Sequence, residues 1–186
     1  MKKIFLLLVL FTCINANAQD IELTESGAYE KKVVVVVDSA KAIVLFERAM
    51  IALSDWTGPD GKAKAGIDYQ EKETGTVIYK GFFSLGFKNV FLGDGWNRVA
   101  NFTMKVRCKD GRAQVTLSVP SVTFTYNRNG MQRQYTISEL IEYVNGLKGK
   151  KHARGVVFLE DLTYTADILV AAMKACLSGA NSEDDF

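Results

Sequence analysis

The chain has 186 residues, 48% of them hydrophobic, with 23 Lys and Arg against 21 Asp and Glu. That length suits one domain with a sizeable core, and two prolines in the whole chain argue against a long linker. So small a charge excess gives no electrostatic footprint for nucleic acid or for an anionic lipid surface.

Lys2 and Lys3 precede a continuous apolar run from Ile4 to Phe11, and Ala16-Asn17-Ala18 follows with small residues at two alternate positions. Positive charge, apolar core and A-x-A site in that order mark a cleavable signal peptide. Residues 1–18 are therefore expected to be removed and the mature chain to begin at Gln19. The apolar core is about ten residues, where a spanning helix needs about twenty, so it is no membrane anchor. No later run is long enough to span. Cys13 offers a rival, a lipoprotein signal acylated at that cysteine, but Thr12 stands where such a site wants a smaller residue. Export places the chain in the periplasm or outside the cell, where disulfides persist. Loss of Lys2 and Lys3 also removes the charge excess. Residues 19–28 are expected to be a flexible segment, 29–178 a single domain, and 179–186 an acidic tail.

In chain order, Tyr29–Val37 is a β-branched run and predicts a strand. Asp38-Ser39 then offers an N-cap to a helix over 40–56, where Ile43, Phe46, Met50 and Leu53 share a face. The stretch 57–65, with Pro59 and Asp60-Gly61, predicts a loop. From Gly66 the period falls to two. Ile67 and Tyr69 lead to a turn at Glu73-Thr74-Gly75, and Val77, Tyr79, Phe83, Leu85 and Phe87 keep one parity. Gly93-Asp94-Gly95 predicts another turn rather than a phosphate cradle. Phe102, Met104, Val106 and Cys108 face inward against Lys105, Arg107 and Lys109, and Asp110-Gly111 is a strong hairpin signal.

Beyond that hairpin Ala113, Val115, Leu117 and Val119 are odd-numbered, but Val122, Phe124 and Tyr126 are even. A bulge at Pro120-Ser121 reconciles the two sets. Asn129-Gly130 predicts a hairpin into a strand over 132–137, and Ser138 a cap for a short helix. A basic loop, 148–154, leads to a long closing helix with Leu159, Leu162, Ala166, Leu169, Met173 and Cys176 on its buried stripe. The expected class is α+β: a curved antiparallel meander, with a helix after the first strand and a long C-terminal helix on one face.

This pattern resembles a family of secreted Bacteroidetes proteins known as a domain of unknown function with a TATA-binding-protein-like (TBP-like) fold. The likeness spans about residues 29–126. It is carried by the signal peptide, Glu30–Val37, Phe46-Glu47-Arg48-Ala49, the stretch from Ile67 to Ile78, Lys80-Gly81 and, above all, Val106-Arg107-Cys108-Lys109-Asp110-Gly111-Arg112. The resemblance implies a curved sheet with helices on one side. It supplies no catalytic or binding residues and does not imply DNA binding.

Chemistry is sparse. His152 is the only histidine, expected in the solvated basic loop. With two distant cysteines it falls short of the three or four ligands of a zinc site. No cofactor motif occurs, and the carboxylate pairs Glu71/Glu73 and Glu160/Asp161 read as surface. Cys108 and Cys176 fall on core faces, either as buried free thiols or as a disulfide. Phe82, Phe91 and Trp96 form a candidate interaction patch, with local packing as its alternative. Asp38-Ser39-Ala40 matches an O-glycan acceptor pattern at Ser39, which a capping role also explains.

The expected function is a noncatalytic binding module of the cell envelope, with an envelope protein or small ligand as partner and no nucleic acid. A hydrolase-like enzyme with scattered site residues is the alternative. Intact mass of the exported protein tests the leader: a chain starting at Gln19 is expected, whereas an acylated chain starting at Cys13 would reject cleavage after Ala18.

Overall fold

The computed structural model describes residues 23–54, 66–85 and 96–179. The leader with Cys13, Ala16, Ala18 and Gln19, the 57–65 loop, Phe87, Phe91, the 93–95 turn and the tail from residue 180 lie outside these. In chain order the elements are β1 (Tyr29–Val36), α1 (Ala42–Ser54), β2 (Gly66–Glu71), β3 (Thr76–Ser84), β4 (Trp96–Lys109), β5 (Arg112–Tyr126), β6 (Gln132–Thr136), α2 (Ile137–Gly146) and α3 (Gly149–Leu177). The strands form one antiparallel sheet ordered β1-β5-β4-β3-β2, with β6 also on β5. The class is α+β, an antiparallel sheet with a long C-terminal helix.

Period two decides what is inside. Val77, Tyr79, Phe83 and Leu85 on and just after β3, Phe102, Met104, Val106 and Cys108 on β4, and Ala113, Val115, Leu117 and Val119 on β5 are all buried. The helices cover this face. Leu45, Phe46, Ala49 and Leu53 of α1, and Leu159, Leu162, Ala166, Leu169 and Met173 of α3, are buried against it. Burying such side chains contributes roughly 1.5–3 kcal/mol each before entropy is counted.

The parity switch in β5 is a bulge. Asn101 stands opposite Ser121 and Thr103 opposite Ser118, so Val119 and Pro120 together face the one residue Phe102. Pro120 also falls between two neighbours, since β1 pairs as far as Val119 and β6 begins at Ser121. A residue without an N–H costs least at such a gap in the ladder. Val122 and Phe124 then return to the core.

The β4–β5 turn ties the sheet to α1. Gly111 takes φ +75°, a region open to glycine at little steric cost. Its carbonyl accepts from Val37 N–H (2.9 Å), and its own N–H donates to the Ala40 carbonyl (2.8 Å). Ala42 N–H, in the first turn of α1, donates to Asp110 Oδ1 at 2.8 Å. The cap of α1 is therefore Asp110, from the far hairpin, and not the local Asp38 or Ser39. Those two lie exposed in the intervening turn, with Ser39 at φ +70°. Beside this turn Cys108 N–H donates to the Gly75 carbonyl (2.8 Å). A Cβ on Gly75 would sit 2.6 Å from the Cys108 carbonyl oxygen, which is why that turn holds a glycine.

Three further expectations are corrected. The cap of α2 is Thr136, not Ser138; its hydroxyl accepts from Glu139 N–H while Glu139 returns to Thr136 N–H, a reciprocal capping box. The basic stretch 148–154 is not a loop but largely the first turns of α3. Cations oppose the dipole at a helix N-terminus, and Lys148 makes no side-chain cap, so local signals hide this start. Residues 23–28 of the expected flexible segment are folded: Leu23 bridges Tyr29, and Ser138 N–H donates to Gly27 O at 3.1 Å.

Asp110→Ala is expected to lower stability by about 1 kcal/mol, the usual cost of losing a helix cap. Asp38→Ala should stay within about 0.5 kcal/mol. Urea unfolding midpoints of the two variants check the assignment, and an equal loss in both would return the cap to the local residue.

Candidate functional site

With helices on one face, the other face of the sheet is open, and its residues follow from the pairing register. Across the hairpin end, Val36, Arg112 and Lys109 form one row; Val34, Gln114, Arg107 and Thr76 the next; Lys32, Thr116, Lys105 and Ile78 a third. Rows on one face repeat at about 6.8 Å along a strand, and neighbouring strands lie about 4.8 Å apart. Lys105, Arg107, Lys109 and Arg112 are all exposed. They enter none of the four ion pairs among the described residues, which use Lys31, Lys32, Lys72 and Lys80. Lys109 and Arg112 are direct cross-strand partners, an arrangement that costs stability because like charges oppose one another.

A shallow groove of about 230 Å³ opens among Val34, Arg107, Lys109, Arg112, Ala113 and Gln114. Val34 and Val36 stand 53% and 67% exposed along its β1 side. The Asp110 carboxylate turns away to α1. Glu71, beyond Thr76 in the Arg107 row, accepts from the Thr74 hydroxyl at 2.6 Å. That bond, with a second from Tyr69, holds its carboxyl below the usual range. The groove is thus lined by cationic donors, one amide and aliphatic carbon, with the nearer carboxylates committed elsewhere.

The residues singled out from the sequence do not gather here. Phe82 is half-buried on the open face opposite Asn101. Trp96 lies on the core side, half-buried, its ring 5.1 Å from Tyr126. The two aromatics are on opposite faces, so they do not form one patch, and Trp96 takes the packing role. Cys108 is buried and Cys176 half-buried, and no disulfide joins the two. Ser39 is exposed, and the capping role that explained it belongs to Asp110. His152 sits in the first turn of α3. No three His, Cys, Asp or Glu gather as metal ligands among the described residues.

Two features were harder to see. Arg112 completes the cationic cluster, and its place opposite Lys109 follows from the two-residue turn between them. Arg98 is 5% exposed on the core parity of β4, a signal present in the alternation that runs on to Phe102 and Met104.

The Cys108 thiol is only 3% exposed, and burial pushes its pKa up from 9.0 to about 11. The raised value means the folded state keeps the proton after the unfolded chain has lost it. Stability from this group is therefore complete below about pH 9 and falls as pH rises toward 11. Urea midpoints between pH 8 and 11 should show a fall that is smaller in Cys108→Ala; equal slopes would remove Cys108 as its source.

Comparison with known proteins bears on the fold. The sequence pattern of a family described as a domain of unknown function (DUF4468) with TBP-like fold matches residues 31–123. A DUF4468 family protein from Bacteroides ovatus has a solved structure similar to this one, with TM-score 0.62 and 17% identity over 92% of this chain and 95% of that one. A TBP-like protein from Parabacteroides distasonis is similar at TM-score 0.53 and 16% identity, over 82% of this chain and 96% of that one. At such identities the likeness is one of fold. No curated protein matches this chain.

Proposed function

This chain belongs to the DUF4468 family of domains of unknown function with a TBP-like fold, and on that footing we propose that it is an exported, noncatalytic binding module whose binding surface is the open face of the sheet. The observation that carries this is the asymmetry of the sheet. One face is filled by α1 and α3, while the other displays four cations without ion pairs beside exposed Val34 and Val36. A fold gains nothing from like charges opposed on a strand pair, so their placement is better explained by something that comes to this face. The leader supports export. No helix among the described residues is long and apolar enough to cross a membrane. The working surface is a side of the domain that its own core does not use.

A thermal-shift screen of small molecules and envelope fractions tests this on three proteins: the wild type, Thr116→Trp at the centre of the open face, and Ile168→Lys on the exposed side of α3. Ligands that stabilise the wild type should lose their effect with Thr116→Trp and keep it with Ile168→Lys. The opposite pattern would move the binding surface to the helix layer.

A further inference from the structure

We propose that the hairpin end of the open face is a binding site for a compact dianion of the phosphate-ester class carrying a small apolar group; this rests on the open face being the binding surface. Three features of the groove define the ligand. First, Arg107, Lys109 and Arg112 converge on it from two adjacent strands. Guanidinium and ammonium groups donate and never accept, so the complementary atoms are anionic oxygens, and the two guanidinium forks suit a tetrahedral oxyanion bidentately. Second, Lys109 stands directly opposite Arg112 with no carboxylate paired to either. A ligand with two negative charges relieves that repulsion on binding, where a monoanion relieves less of it. Third, Val34 lines the groove and Val36 stands beside Arg112, giving the site an apolar wall.

Size narrows the class. At about 230 Å³ the groove is smaller than the roughly 300–1,000 Å³ of drug-sized pockets. It accepts a head group and a few carbons, not a folded partner. Gln114 faces Arg107 and Val34 in the same row, and supplies the one side chain in the groove able both to donate and to accept. Soluble phosphate esters and phospholipid head groups share this chemistry.

The probes are phenyl phosphate, phenylacetate and inorganic phosphate, titrated into the mature protein by calorimetry. Phenyl phosphate is expected to bind about tenfold or more tightly than either of the others, since it alone offers both the dianion and the apolar group. Arg107→Gln and Arg112→Gln should each weaken it about tenfold. Lys109→Glu should abolish binding yet melt no lower than the wild type, because it replaces a repulsive cross-strand pair with an attractive one. That combination separates a ligand-binding role from a structural one.

Vesicles distinguish the sources. Sedimentation with phosphatidic acid vesicles, but not with phosphatidylcholine alone, and release by phenyl phosphate, assign the site to a lipid head group. Binding of phenyl phosphate without sedimentation assigns it to a soluble ester. Equal binding of all three probes, or binding that survives Lys109→Glu, would overturn the proposal. In that event ligands that still lose their effect with Thr116→Trp would leave the open face as the binding surface, so the two ideas fail separately.

Discussion

The carboxylate of Asp110 on the Ala42 amide is the contact on which the arrangement of this domain turns. The sheet alone does not say where α1 should begin, because β1 ends in a sharp turn at Asp38-Ser39 that carries no cap. The β4–β5 hairpin settles it with three bonds, from Val37, to Ala40 and from Ala42. A short polar turn thereby joins the last residues of β1 and the first turn of α1 to the centre of the sheet. Helix starts leave amides that need partners, and here the partner comes from the strands that the helix covers.

The same tetrapeptide links fold to surface. Lys109 and Arg112 flank Asp110-Gly111, so a two-residue turn that fixes α1 on one side places two cations opposite each other on the other. Shortening or lengthening the hairpin by one residue would reverse the faces of one strand, exposing Cys108 or Ala113 and burying a charge. Core packing and the cationic groove are two readings of one register. Gly75 reinforces it, its carbonyl holding the Cys108 amide at the neighbouring turn.

Much of this was legible in the sequence wherever a single period governs. The alternation from Phe102 to Cys108, the hairpin at Asp110-Gly111 and the bulge at Pro120 were all readable because each is set within a few residues. What escaped was set at long range. The cap of α1 lies 68 residues away, and the adjacency of β1 to β5 leaves no local mark on either strand. The start of α3 was masked by Lys150, Lys151 and Arg154, whose charges disfavour a helix N-terminus. The cationic groove escaped for another reason: net charge sums over the chain and says nothing of segregation, so a balanced total concealed four cations gathered on one face. Phe82 and Trp96 misled because proximity along a hairpin is not proximity on a face. Only the register shows that they point apart.

Native-state hydrogen exchange at the Val37, Gly111 and Ala42 amides tests the central claim most directly. If the hairpin fixes α1 to the sheet, these three amides share one protection level close to that of the β4–β5 core, and Asp110→Ala lowers all three together. Fast exchange of Ala42 beside unchanged protection of Val37 and Gly111 in the wild-type protein would contradict it.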